Sequence, residues 1–401
     1  MKINIDKFIF SFFIYGVIFF PGMLMLLYDN LGSNYYGVIV IVSLVIVFKF
    51  IFNHNELFIA KKTFSSIFII AGLIGFHLFI AVNLFELEKE ENIFKILLSL
   101  LSLVAIFIAC IFSINSLLKI DDNAFLNIVN NIFNILLLVG IYSSVMMVLG
   151  GKTDKRMLFF TEPSHYALIV TIFYAYKIAI KKTNIIYCLP LFIIALCIQN
   201  LSLIIGVTFA ISINFLRLRT LLLIPLILVP LYTIAINVIS QDRLDYYFQR
   251  LNISENSTNT STLTLMSGYE QAYLALKDSY GFGFGLQRMG YPNNRGSFVD
   301  IIGLLRDGNT DSNLHDGGLF ISKLTVEFGV LGVGFFLYVT MLGVKNINTR
   351  CLKSKFFSMV LVLSLMYFLL RGSGYFTPSA ILIFMSIVFI KAHRIKNMES
   401  E

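Results

Sequence analysis

Tryptophan is absent from the 401 residues, cysteine occurs four times and proline seven times, and charged residues make up only 13% of the chain. Each scarcity excludes something. So few charges beside 57% hydrophobic residues and a mean hydropathy of +0.82 exclude a soluble domain, which could not hide this much apolar surface. Cys110, Cys188 and Cys197 sit in apolar runs and Cys351 in a basic connection, which leaves no disulfide across an outer surface. Without Trp, Tyr and Phe must supply any aromatic belt at a membrane interface. No period of 20 to 50 residues recurs, and the two halves of the chain look unlike one another.

What is present is a series of long apolar runs. A hydrocarbon core of roughly 30 Å needs about 20 helical residues per crossing. Runs bounded by charge, Gly, Pro or Asn lie at 8 to 28, 36 to 53, 63 to 83, 94 to 114, 125 to 149, 163 to 181, 184 to 199, 201 to 216, 220 to 240, 317 to 343, 356 to 371 and 375 to 391. The expected fold is an all-α polytopic membrane protein of about twelve spans, a single integral membrane domain over 1–401. Residues 241–316 form one large outer loop between spans 9 and 10. Met1 to Lys7 resembles the start of a signal peptide, but no small-residue cleavage site precedes Tyr28, so a retained first span is expected. Only Gln199, Asn200 and Leu201 separate the seventh and eighth runs, and merging them would invert everything downstream.

Charge decides against the merge. With both termini cytoplasmic, 18 of the 31 Lys and Arg fall on the inner side, whereas the outer connection 29 to 35 holds none and 84 to 93 is dominated by Glu86, Glu88, Glu90 and Glu91. That is the positive-inside distribution, so the net charge of +8 calls for no nucleic acid. It leaves the cations of three outer connections unexplained. These are Lys152, Lys155 and Arg156 in Gly150 to His165, then Arg243, Arg250, Arg288, Arg295 and Arg306 in the long loop, then Arg371 in a last turn up to Pro378. Arg outnumbers Lys there, and its planar fork of donors suits phosphate oxygens. Any one of these arginines also fits a solvated role or a lipid headgroup; several of them beside His315, Glu162 and His165 favour an anionic substrate. Within the loop, Tyr269, Ala272, Tyr273 and Leu276 are spaced for a short amphipathic helix near 266–276 on the membrane surface.

At these residues a family resemblance enters. His315-Asp316-Gly317-Gly318-Leu319 followed by Glu327-Phe328-Gly329-Val330-Leu331-Gly332 resembles the His, apolar helix and E-x-G-x-x-G signature of O-antigen polymerases and ligases. Arg156 with Phe160-Thr161-Glu162-Pro163-Ser164 looks like a segment frequent in Wzy-type polymerases of O-antigen, capsule and exopolysaccharide repeat units. Gly281, Gly283 and Gly285, and Arg306 followed after ten residues by Gly317, fit the same family, as does one dominant late outer loop.

The resemblance implies a metal-independent inverting glycosyltransferase without a cofactor, in the bacterial inner membrane. It would polymerise polyprenyl-diphosphate-linked oligosaccharides at the outer face. Its partners would be that lipid-linked glycan, the lipid bilayer, a chain-length regulator and a repeat-unit flippase. Charge growing on the departing diphosphate needs fixed cations; Arg156, Arg288 and Arg306 are the first choices, with Arg243, Arg250 and Arg371 behind them. The attacking hydroxyl needs a proton acceptor. His315 is the leading base and Glu162 the second, with His165 placed to orient it; Glu162 before Pro163 also suits a plain helix start.

Other constellations point elsewhere or nowhere. Asp307, Asn309 and Asp311 mimic a calcium loop, but Ser312 and Gly318 stand where Gly and Glu are required. Asn127, Asn130, Asn131 and Asn134 form a stripe on the fifth run that reads as helix-to-helix glue, and Lys323 and Glu327 as a local i, i+4 pair. His77 has no expected role. Two further readings stay open: an O-antigen ligase, with the same chemistry and another acceptor, and a secondary transporter, against which Gly and Pro breaks do not recur in matching halves.

Overall fold

The computed structural model describes residues 4–28, 31, 33–52, 61–85, 93–149, 157–215, 250, 257–292, 294–306, 308, 314–372 and 374–398. Among them the architecture is helical throughout, with one isolated antiparallel bridge between Met157 and Phe160. The helices are α1 (Ile5–Leu27), α2 (Tyr35–Phe52), α3 (Lys61–Leu84), α4 (Ile93–Leu117), α5 (Asp122–Leu149), α6 (Pro163–Ile180), α7 (Cys188–Cys197) and α8 (Leu201–Asn214). After the long connection come α9 (Thr260–Asp278), α10 (Ser297–Leu305), α11 (Phe320–Phe328), α12 (Val330–Asn346), α13 (Leu352–Leu369) and α14 (Pro378–Met398). Six of them, α1, α2, α3, α4, α5 and α13, are long and apolar enough to cross a membrane. In lipid a helix satisfies every internal backbone donor and acceptor, which is why such runs fold this way.

The exterior agrees with that solvent. Leu73, Phe79, Leu101, Leu138 and Met341 are all more than 60% exposed, an apolar surface that water would not tolerate. The core is organised around α13, whose membrane-length stretch is 78% buried against 17% for α3 at the margin. α13 packs on α5, α6, α8, α11, α12 and α14, while α1, α2 and α4 form a second cluster joined to it through α14.

The seventh and eighth runs fold as a hairpin rather than one span. A 3-10 helix (Lys182–Tyr187) leads into α7, Gln199 takes a φ of 51°, and the Asn200 side chain caps α8 by accepting from Leu203 N–H. Both ends of the hairpin are pinned to α6: Asn200 Nδ2 donates to the Pro163 carbonyl, and Asn214 Nδ2 donates to the Ala175 carbonyl at 3.1 Å. Asn130 of the fifth-run stripe accepts from Lys177 Nζ at 2.9 Å, a bond between α5 and α6.

Two expectations are revised, and a third is met in its coarser part only. The run 317 to 343 is two helices, α11 of 9 residues and α12 of 17, about 14 and 26 Å long. The loop helix near 266–276 extends over α9 and buries one face against α10 and α11. Twelve crossings are not established, and the ninth run, 220 to 240, lies outside the described residues.

Candidate functional site

The break between α11 and α12 builds the scaffold of the site. Gly329 has a φ of 56°, and a Cβ there would collide with the Gly281 carbonyl oxygen. The interrupted helix releases its last carbonyls, and the glycine-rich turn takes them: Phe284 N–H donates to Val326 O at 2.9 Å and Gly285 N–H to Glu327 O at 2.8 Å. Val330 N–H returns the bond to Gly281 O at 2.9 Å. Only glycine follows the path of that turn, with φ of 81°, 86° and 101° at Gly281, Gly283 and Gly285. His77 of α3 locks it from the side, its Nε2–H donating to Phe282 O at 2.9 Å with the rings stacked at 4.4 Å.

Above this scaffold lies a cavity of about 770 Å³. Its wall comes from the end of α1, the connection into α2, the start of α4, residues 160–165, Gln287, residues 315–323 and the turn 371–377. These are the segments that charge patterning assigns to the outer face, and they converge at one end of the bundle. The lining combines ionic groups, Lys95, Glu162, His165, His315, Asp316, Lys323 and Arg371, with aromatic ones, Tyr35, Tyr36, Phe160, Tyr375 and Phe376.

Arg371 Nη2 and Glu162 Oε2 lie 2.6 Å apart, and Ser164 Oγ–H donates to the same oxygen at 3.0 Å. Burial by itself would raise the Glu162 carboxyl, but the Arg371 guanidinium, His165 and the Ser164 hydroxyl outweigh it and hold the pKa down at about 2. Such a carboxylate is a weak proton acceptor near neutrality. Glu162 is also the N-cap of α6, where Pro163 starts the helix with no N–H to satisfy. One turn on, His165 Nδ1 meets Thr161 Oγ1 at 3.0 Å.

His315 is held differently. Its Nδ1 lies 3.0 Å from the Met289 carbonyl; a carbonyl only accepts, so Nδ1 carries the hydrogen and Nε2 is left as the proton acceptor. Tyr291 packs against the ring at 5.1 Å. Gly290, with a φ of 84°, makes this possible, since a Cβ there would stand 2.8 Å from Nδ1. Below, Lys323 Nζ donates to the His315 carbonyl oxygen at 2.6 Å and pairs with Glu327 Oε1 at 3.3 Å and Asp316 Oδ1 at 3.6 Å.

Four of the sequence-predicted residues, His315, Glu162, His165 and Arg371, therefore line one cavity. Three others lie away from its wall. Arg288 is 2% exposed and donates to the Phe284 and Phe85 carbonyls at 2.8 and 3.2 Å, tying the glycine-rich turn to the end of α3. Arg250 donates to Ser261 Oγ at 3.0 Å beside the start of α9, and Arg306 is exposed at the end of α10. Arg156 and Arg243 lie outside the described residues. Sequence reasoning missed Lys323, Lys95, Asp316, Tyr375 and the aromatic part of the lining. The available signal was the i, i+4 pair Lys323 and Glu327 inside an apolar run, because charge in such a run is costly unless it has a task. The chain matches no family model, and neither a curated protein nor a solved structure matches it.

Proposed function

We propose that this protein polymerises polyprenyl-diphosphate-linked oligosaccharide repeat units into a surface polysaccharide by inverting glycosyl transfer. The reaction takes place at the outer face of a bacterial inner membrane, with both termini in the cytoplasm. The observation that carries the reading is the meeting of His315, Arg371, Glu162 and His165, drawn from three outer connections, in one cavity of about 770 Å³. In this scheme the acceptor hydroxyl oxygen attacks the anomeric carbon of the glycan on its carrier, and its proton goes to His315 Nε2. The bond from that carbon to the diphosphate oxygen breaks, and the electron pair leaves with the diphosphate. Arg371 and Lys95 supply fixed positive charge to it. Glu162, already a carboxylate, orients Arg371. Arg156 and Arg243 remain candidates from the sequence alone.

The carrier reading has one observation in its favour, the broken pair α11 and α12. In a carrier the freed carbonyls face the transported ion; here Val326 and Glu327 give theirs to Phe284 and Gly285. That favours the enzyme.

The test is reconstitution of the full chain in vesicles with a polyprenyl-diphosphate-linked repeat unit. A ladder of longer lipid-linked glycans is expected from the wild type, with a loss of at least about 100-fold in His315→Ala, the scale of a lost general base. An undiminished ladder in both His315→Ala and Arg371→Ala rejects the site. Transfer only to a lipid A acceptor points to the ligase, and uptake of a small solute without transfer points to the carrier.

A further inference from the structure

We propose that Lys323 is a positioning residue that sets the orientation and tautomer of the His315 imidazole. Its kinetic consequence rests on the glycosyl-transfer reading; its geometry does not. Lys323 is 2% exposed and Glu327 0% exposed, and the ammonium meets oxygens of His315, Asp316 and Glu327 on either side of it in the chain. It donates to the His315 carbonyl at 2.6 Å and lies 3.6 Å from Asp316 Oδ1, both in the segment leading into α11. It lies 3.3 Å from Glu327 Oε1 one turn along α11, and 5.7 Å from the centre of the Tyr375 ring. Tyr375 OH donates to Glu327 Oε2 at 2.6 Å, which draws in the turn that also carries Arg371. The same turn is tied by Gly372 N–H to Gly318 O at 2.9 Å and by Tyr367 OH to Gly374 O at 2.6 Å.

A buried ion pair is a poor device for stability, because desolvating two charges offsets most of their attraction and apolar side chains would close the same space. What an ammonium supplies that a methyl group does not is direction. One N–H of the ammonium holds the His315 carbonyl while its charge is met by Asp316 and Glu327, and Tyr375 OH on Glu327 ties the arrangement to the 371–377 turn. On the other side Met289 O holds Nδ1–H of the same residue, with Gly290 giving room. His315 is thus gripped by its main chain and by one ring nitrogen, and Nε2 is the atom left to exchange a proton. Without Lys323 the peptide is free to turn and the grip at Met289 is lost.

The experiment uses full-length protein labelled with nitrogen-15 histidine in lipid, at about pH 8, above the ordinary imidazole range. The His315 signals are identified by their loss in His315→Gln. Wild type is expected to show a protonated Nδ1 and a bare Nε2. The double variant Lys323→Met with Glu327→Gln removes both buried charges and leaves only Asp316, half in solvent, without its partner; it should show a mixture of tautomers. Its kcat should fall at least about tenfold with KM within about twofold, and Lys323→Arg should recover part of the loss. Wild-type His315 signals in the double variant overturn the proposal, as does a wild-type kcat. A tautomer shift in a protein with no glycosyl transfer rejects the functional reading and leaves the positioning role standing. If the double variant does not fold, Tyr375→Phe decides: a smaller shift in the same direction supports the proposal, and unchanged signals overturn it.

Discussion

Where α4 turns into α5 and α12 into α13, lysines work at helix ends: Lys119 lies 4.0 Å from Asp6, Lys353 pairs with Asp122 at 3.5 Å and donates to the Ile120 carbonyl, and Lys177 reaches Asn130. At the cavity end the cations line the cavity instead: Lys323 lies buried among His315, Asp316 and Glu327 of its own stretch of chain, and Arg371 reaches across to Glu162. The backbones differ too. Among the described residues, every glycine with positive φ lies between Gly281 and Gly374, and none lies at the Lys-rich end. Buried lysines occur at both ends, Lys49 and Lys353 at one and Lys323 at the other, so it is the left-handed glycine backbone that sets the cavity end apart. Backbone of that kind concentrates where geometry serves function.

The most damaging way to break this contrast is at the buried pair. Lys323→Ala alone strands Glu327 in the interior and should lower stability by about 3–5 kcal/mol, read as thermal unfolding in detergent. A loss no greater than that of a surface lysine would mean the buried pair is not special. Next is the helix break. Gly329→Ala should cost at least about 1–3 kcal/mol from its left-handed backbone, before the collision with the Gly281 carbonyl is added. Gly334→Ala, in the same helix α12 with open space around its Cβ, should be neutral or stabilising by about 0.5–1 kcal/mol. Equal effects at the two glycines would mean that the break places no special demand on residue 329.

The third test sharpens the ionic side of the cavity. Glu162 is depressed from its ordinary 4.5 to about 2, so its pair with Arg371 contributes fully above pH 4.5 and is lost as pH falls through about 2. The stability gap between wild type and Glu162→Gln should therefore be flat from neutral pH down to 4.5 and close below it. A gap that stays flat down to pH 2 would show an undepressed carboxyl, and one that grows as pH falls from 7 to 5 would show a raised one and revive Glu162 as a base. Smallest is Lys119→Ala at the opposite end, whose pair is 4.0 Å long and half in solvent. It should change stability by less than about 1 kcal/mol.

Much of the fold was legible because apolar runs and their flanking charges are local properties. Asn200 and Gln199 marked the hairpin corner, and Pro163 after Glu162 marked a helix start. The break at Gly329 was hidden inside a run whose composition suits a single long helix; it exists because residues some forty-five positions upstream take its carbonyls. The site was legible by residue type and only partly by role. Arg288 and Arg371 look alike as loop arginines, yet one is enclosed by the carbonyls of Phe284 and Phe85 and the other faces Glu162 in the cavity.

The sequence by itself determined that this chain is helical and built for lipid, since 57% hydrophobic residues in long runs have one solvent that suits them. It also determined which of the polar stretches between apolar runs carry Arg, His and Glu. Only the tertiary structure decided which of those side chains meet. Meeting depends on contacts between segments as distant as Glu162 and Arg371, or Gly281 and Gly329, and no local pattern encodes a distance of that kind. The tautomer of His315 belongs to the same class, because it is written by a carbonyl on another segment, Met289 O.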